Sequence, residues 1–310
     1  MHPAGKLRKL LNEPGPILCP GIYDCLSAKV VERAGLPCAI ISGAAVTASR
    51  LGYPDVGLQT MSEILDQARN IARSVTIPVI ADIDTGYGNA LNVMRTISEF
   101  ESAGLAGIFF EDQTFPKKCG HFEGIEVIPT EEMVIKIRAA CEARQNKDFV
   151  LIARTDARGH YGLKEAIARG RAYAAAGADI IFIEALLSEA DLRDVGKSID
   201  APLQANIVEG GKTPNIGYRE LHEMGFKLIS YSGTLQRTAI TGMLGALETL
   251  KKDGTTQALY PDRMCNLVDR SELLGLSRYY AIEERLYGPI RETAGSWRGE
   301  LQQRGTETGK

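Results

Sequence analysis

Several features that would settle the class of this chain are missing. Its six cysteines, at 19, 25, 38, 119, 141 and 265, form no CxxC pair and no zinc-finger spacing. That excludes a cysteine-built metal knuckle and argues for reduced thiols in a cytoplasmic compartment. No uninterrupted apolar run reaches membrane-spanning length, and no signal-peptide core follows Lys6, Arg8 and Lys9. Positive charge is not in excess: 36 Lys and Arg against 39 Asp and Glu give a net charge of -3. Nothing in that balance steers the chain toward nucleic acid or an anionic membrane. A glycine-rich dinucleotide loop after the first strand is also absent, which counts against a doubly wound open sheet.

What remains is a composition with 44% apolar and 24% charged residues over 310 positions, enough for a full core. One unit recurs along it. A helix-period stretch ends in a small residue and a glycine, and a short apolar run follows. Ala34-Gly35 leads into Cys38 to Ile41, Ala103-Gly104 into Ile108 to Phe110, Ala176-Gly177 into Ile180 to Ile183, and Met224-Gly225 into Lys227 to Ile229. Glycine closes a helix in the left-handed conformation, and a continuous apolar run is a buried parallel strand. With Ile17 to Gly21, Pro78 to Ala81, Phe149 to Ala153 and Pro202 to Ala205, the strands start near residues 17, 38, 78, 106, 149, 180, 202 and 227. Eight strands alternating with helices predict an α/β fold, a (β/α)8 TIM-type barrel. Helices are expected over 6–12, 235–252 and from Arg270 to Leu286. Residues 1–288 read as one barrel domain with C-terminal helices, and 289–310 as a polar, frayed tail.

A parallel barrel carries its chemistry where the strands end. Those ends read Ser42-Gly43, Asp82-Ile83-Asp84, Glu111-Asp112, Arg154-Thr155-Asp156, Glu184, Asn206 and Ser230 to Ser232. So many carboxylates on one rim repel one another unless a cation neutralises them. With oxygen donors and no histidine pair, Mg²⁺ is the fitting ion and Mn²⁺ an alternative, with Asp82, Asp84 and Glu111 as the metal residues. Arg154, and farther along Arg237 and Arg270, suit a substrate with two or more carboxylates. Backbone N–H groups of Ser42, Gly43 and Ala44 are available to an anionic oxygen. Asp156 is read as serving either the rim or loop hydrogen bonds.

After the fourth strand comes Phe115-Pro116-Lys117-Lys118-Cys119-Gly120-His121-Phe122-Glu123-Gly124. A thiol beside two lysines is expected to have a lowered pKa, and the glycines give the segment the freedom of a lid.

These motifs together resemble the isocitrate lyase and phosphoenolpyruvate mutase superfamily. The resemblance rests on Lys117 to His121, Ser42-Gly43, Asp82 to Gly88, Glu111 to Gln113, Ala153 to Asp156 and Asn206 to Pro214, and runs from about residue 6 to 286. It implies magnesium dependence and a homotetramer in which the last barrel helix is swapped between subunits. It also implies a carbon–carbon lyase acting on a small di- or tricarboxylate of the 2-methylisocitrate or 2-alkylmalate kind. In that setting Cys119 is the acid, with His121, Lys117 and Arg154 as catalytic partners. Ser42, Gly43, Ala44, Gly120, Glu184, Asn206, Ser232, Arg237 and Arg270 then hold substrate. Carboxyphosphonoenolpyruvate-type mutase and oxaloacetate hydrolase activities are the alternatives, and a serine at 232 resembles the hydrolases. Two positions depart from the family pattern: Ile40 stands where a tyrosine is common, and Ile125 where a lysine usually follows the lid glycine.

Overall fold

The computed structural model describes residues 2–290, which fall into two compact units, Met1–Gly245 and Ala246 onward. In the first, eight parallel strands pair in chain order and β1 closes on β8. They are β1 (Ile17–Ile22), β2 (Ala39–Ile41), β3 (Val79–Asp82), β4 (Gly107–Glu111), β5 (Val150–Thr155), β6 (Ile180–Ile183), β7 (Leu203–Asn206) and β8 (Phe226–Tyr231). Every start lies within one residue of the position read from sequence. The four glycines that punctuate the repeat, Gly35, Gly104, Gly177 and Gly225, all have positive φ, between 76° and 110°. Each stops its helix and aims the chain at the next strand.

Two apolar clusters sit on opposite faces of the strands. Alternation along each strand sends one set inward: Ile40, Phe109, Phe182 and Leu228 fill the barrel interior with Cys19, Ile80 and Ile152. The other set, including Ile41, Ile108, Phe110, Ile181 and Ile229, packs beneath the surrounding helices. The helix Pro3–Asn12 begins earlier than expected because His2 caps it, and its Leu7, fully buried, joins the interior cluster. Arg8 of that helix pairs with Asp179 at 2.8 Å. A register shift at Leu203/Gln204 interrupts the β7–β8 pairing just below the mouth.

The helix expected at 235–252 spans Thr234–Asp253 and ends at Gly254, whose φ is 68°. The second unit departs from expectation in one respect. The helix read as continuous from Arg270 is divided: Leu267–Leu273 stops at Gly275 (φ 80°), and a new helix runs over 276–290. Apart from 289 and 290, the polar tail lies outside the described residues.

Candidate active site

The strand ends do converge. A cavity of about 220 Å³ at the barrel mouth is lined by Ser42, Ala44, Asp82, Arg154, Glu184, Asn206, Ser232 and Arg237, with Cys119, Gly120 and His121 of the lid. Ile40, Phe109 and Phe182 supply its apolar wall. The lining comes from the first unit; Arg270 belongs to the second, exposed on its helix.

Asp82 ends β3 with both carboxylate oxygens engaged: Oδ1 accepts from the Asp84 N–H (2.9 Å) and Oδ2 from the Gly43 N–H (3.1 Å). The Gly43 amide is therefore spent on Asp82, and a Cβ at Gly43 would lie 2.7 Å from that carboxylate. Burial pushes the Asp82 carboxyl up to about 7, against the opposing pull of Lys117. Asp84, at a left-handed φ of 47°, turns its Oδ1 to Lys117 Nζ at 2.7 Å. Glu111 is fully buried, and neither of its carboxylate oxygens has a hydrogen-bond partner. Its nearest cations are Arg154 (3.5 Å) and Lys117 (3.9 Å), and burial holds its carboxyl well above the usual range.

Arg154 is locked by Asp156, which accepts from its Nε (2.9 Å) and from a terminal guanidinium nitrogen (2.7 Å). A fork-to-fork pair of this kind fixes the plane of the guanidinium, which also lies over the Phe182 ring at 5.3 Å. Glu184 accepts from Asn206 Nδ2 (3.2 Å); Asn206 Oδ1 in turn accepts from Ser230, and Ser230 from Gln204 Nε2, each at 3.1 Å. A carboxylate only accepts, so it dictates the direction of the whole chain.

The lid differs from its sequence reading in the chemistry of the thiol. Lys117 does not attend Cys119: its ammonium is buried between Asp55 and Asp84, 2.7 Å from each. Burial alone would lower its pKa, but Glu111, Asp84, Asp82 and Asp55 outweigh that and hold it well above the ordinary value. Lys118 donates to the Gly124 carbonyl within the lid (3.0 Å). With both lysines committed elsewhere, burial raises the Cys119 pKa, and the His121 N–H only partly offsets it. Burial therefore favours the protonated thiol over the thiolate. Gly120 presses against the network beneath, where a Cβ would come within 2.4 Å of Arg154 and 2.6 Å of Asp156. Ile125, which follows the lid glycine, is buried.

Asp55, the partner of Lys117, carries no signal in the sequence. It sits in the loop after the π-helical turn Thr47–Leu51, where no local pattern distinguishes it. Gln204 and Gln236 line the cavity and were likewise not recognised; Gln204 reads as one residue of a buried strand.

Whether this mouth fits a divalent cation is tested by its donors. Among the described residues, no three acidic, imidazole or thiol side chains meet closely enough to ligate one ion directly. The donors are nevertheless all oxygen, and Glu111 carries two buried acceptors with nothing to accept from. That suits a hydrated Mg²⁺, which keeps several waters and is held partly through them. The residues fit the ion on those terms.

A parallel barrel with its polar groups gathered at the strand C-termini and a thiol-bearing lid defines a (β/α)8 enzyme. The family model described as phosphoenolpyruvate phosphomutase matches residues 7–251. 2,3-Dimethylmalate lyase of Eubacterium barkeri is 44% identical over 283 residues, covering 91% of this chain and 98% of that protein. Among solved structures, oxaloacetate acetylhydrolase with 3,3-difluorooxalacetate superposes with a TM-score of 0.87 at 36% identity, over 91% of this chain and 96% of the other. Phosphonopyruvate hydrolase, solved with oxalate and Mg²⁺, gives a TM-score of 0.82 at 32% identity, over 92% and 99%. The chain belongs to the phosphoenolpyruvate mutase/isocitrate lyase superfamily.

Proposed function

We propose that this enzyme is a Mg²⁺-dependent carbon–carbon lyase that cleaves a 2-hydroxy polycarboxylate, of the 2-alkylmalate or 2-methylisocitrate kind, to a 2-oxo acid and a carboxylic acid. The observation that carries this reading is the thiol of Cys119 sharing one cavity with Arg154, Glu184 and Asn206. Cleavage leaves an electron pair on the departing carbon, next to its carboxylate. A half-buried thiol with a raised pKa delivers the proton that this carbon needs. Arg154, its plane set by Asp156, binds carboxylate, while Asn206 and Glu184 orient it. Asp82, Asp84 and Glu111 would hold the ion, partly through water, and the bound ion would polarise the substrate hydroxyl and lower its pKa. Arg237 at the cavity edge takes a further substrate carboxylate.

A second reading, hydrolysis of oxaloacetate, is supported by Ser232 in the cavity lining and by the similarity to oxaloacetate acetylhydrolase. One panel separates the readings: 2-hydroxy di- and tricarboxylates and oxaloacetate, with and without Mg²⁺, assayed for released 2-oxo acid and for oxalate. Metal-dependent 2-oxo acid from an alkylmalate supports the lyase, oxalate alone the hydrolase, and neither rejects both. Phosphorus NMR with carboxyphosphonoenolpyruvate tests the mutase alternative.

The proposed assembly is a homotetramer with an exchanged helix. The helix Thr234–Asp253 has no buried residue and exposes Ile240, Met243, Leu244 and Leu247 along one stripe, an apolar face suited to a partner subunit. No helix among the described residues is long and apolar enough to cross a membrane, and all six cysteines are free, in keeping with the proposed cytoplasmic location.

A further inference from the structure

The loop that follows β7 lies against the lid. Its Lys212 makes three polar contacts there. The backbone N–H donates to His121 Nδ1 (3.1 Å), the ammonium donates to the Phe122 carbonyl (3.1 Å), and it pairs with Glu123 (3.0 Å). A donor at Nδ1 leaves the ring proton on Nε2, which lies 3.5 Å from Glu184 Oε1. Gly211 makes room for this approach: a Cβ there would stand 2.9 Å from His121 Nδ1. The root of the lid is held separately, by Gln113, which bonds both the N–H and the carbonyl of Lys118 at 2.9 Å. Beyond that root, Lys212 contacts three consecutive lid residues, His121 to Glu123, on the C-terminal side of the thiol. The same loop is tied to the cavity edge, because Arg237 donates to the Glu209 carbonyl (2.6 Å).

We propose that Lys212 is a positioning residue for the acid Cys119. Its amide selects the His121 tautomer whose ring N–H lies on the Glu184 side, 3.5 Å from that carboxylate and without another partner. Its ammonium latches the lid so that the thiol faces the cavity instead of solvent. Its importance for turnover rests on the lyase reading, but the latch itself is open to a test that needs no substrate.

That test is the rate at which iodoacetamide alkylates Cys119, followed by peptide mass spectrometry in the full chain. Lys212→Met removes both ammonium contacts, and alkylation should accelerate about five-fold or more. Lys212→Arg, which keeps a donor and a charge, should stay within about two-fold of wild type. Glu123→Gln should change little, since Glu123 is 92% exposed and such pairs contribute little. Gly211→Ala displaces the imidazole and should accelerate alkylation as Lys212→Met does; it also serves if Lys212→Met fails to fold. Wild-type rates in folded Lys212→Met and Gly211→Ala would overturn the latch, as would failure of Lys212→Arg to restore the slow rate. If the wild type releases no 2-oxo acid yet the alkylation pattern holds, the lyase reading fails and the latch stands.

Discussion

Glu111 and Asp112 are neighbours in sequence, both completely buried, and they have been provided for in opposite ways. Asp112 accepts from the Tyr173 hydroxyl (2.6 Å), the Thr155 hydroxyl (2.7 Å), the Asp156 N–H (3.0 Å) and Arg169 (3.0 Å). Glu111, one step along the strand and so on its other face, has no hydrogen-bond donor at all. A buried carboxylate with four donors joins the barrel to its helices. One with none is costly unless something else completes it, and the barrel mouth is where a hydrated cation would do so. Of two adjacent acids, one is saturated by donors from the fold, and the other is the proposed contributor to the site.

Substitutions can break or sharpen that division. The largest effect on stability is expected at Asp112: Asp112→Ala leaves the Tyr173 and Thr155 hydroxyls and the Asp156 N–H without their acceptor, while Arg169 keeps Glu165 and the Ile128 carbonyl, and should cost about 3–5 kcal/mol in urea denaturation. Glu111→Gln should instead shift the melting temperature by no more than about 2 °C, while metal-dependent activity falls about a hundred-fold. A large loss of stability there, with activity preserved, would reverse the assignment. Arg169→Met removes one of four donors to Asp112 and should cost about 1–3 kcal/mol. A smaller effect is kinetic. Because the Cys119 pKa lies above its ordinary value of 9.0, alkylation at pH 7 should be slower than that of an unperturbed thiol. The rate should keep rising as pH passes 9, and a plateau below pH 8 would mean that the lid lysines do lower the pKa.

Much of this was legible from the residues. The strand starts follow from a repeat of helix, stop glycine and apolar run, which is local information. The convergence of Asp82, Arg154, Glu184 and Asn206 follows from barrel topology once the strands are placed. What could not be read depends on contacts between distant loops. Lys117 is adjacent to Lys118 and one residue removed from Cys119, so sequence proximity suggested a polarised thiol, yet the fold turns its ammonium to Asp55, 62 positions earlier. The sequence leaves two roles open for Asp156, and the fold brings it into a two-point grip on Arg154. The helix from Arg270 looked continuous because one glycine in an otherwise helical pattern is tolerated; Gly275 ends it by adopting positive φ.

The account turns on the thiol of Cys119 as the acid. Its most direct test is 2-oxo acid release from whichever alkylmalate or methylisocitrate the wild type turns over, compared between wild type and Cys119→Ser at saturating Mg²⁺. The account predicts a fall in kcat of about a thousand-fold with fold and Mg²⁺ affinity retained. Cleavage by Cys119→Ser at close to the wild-type rate would contradict it.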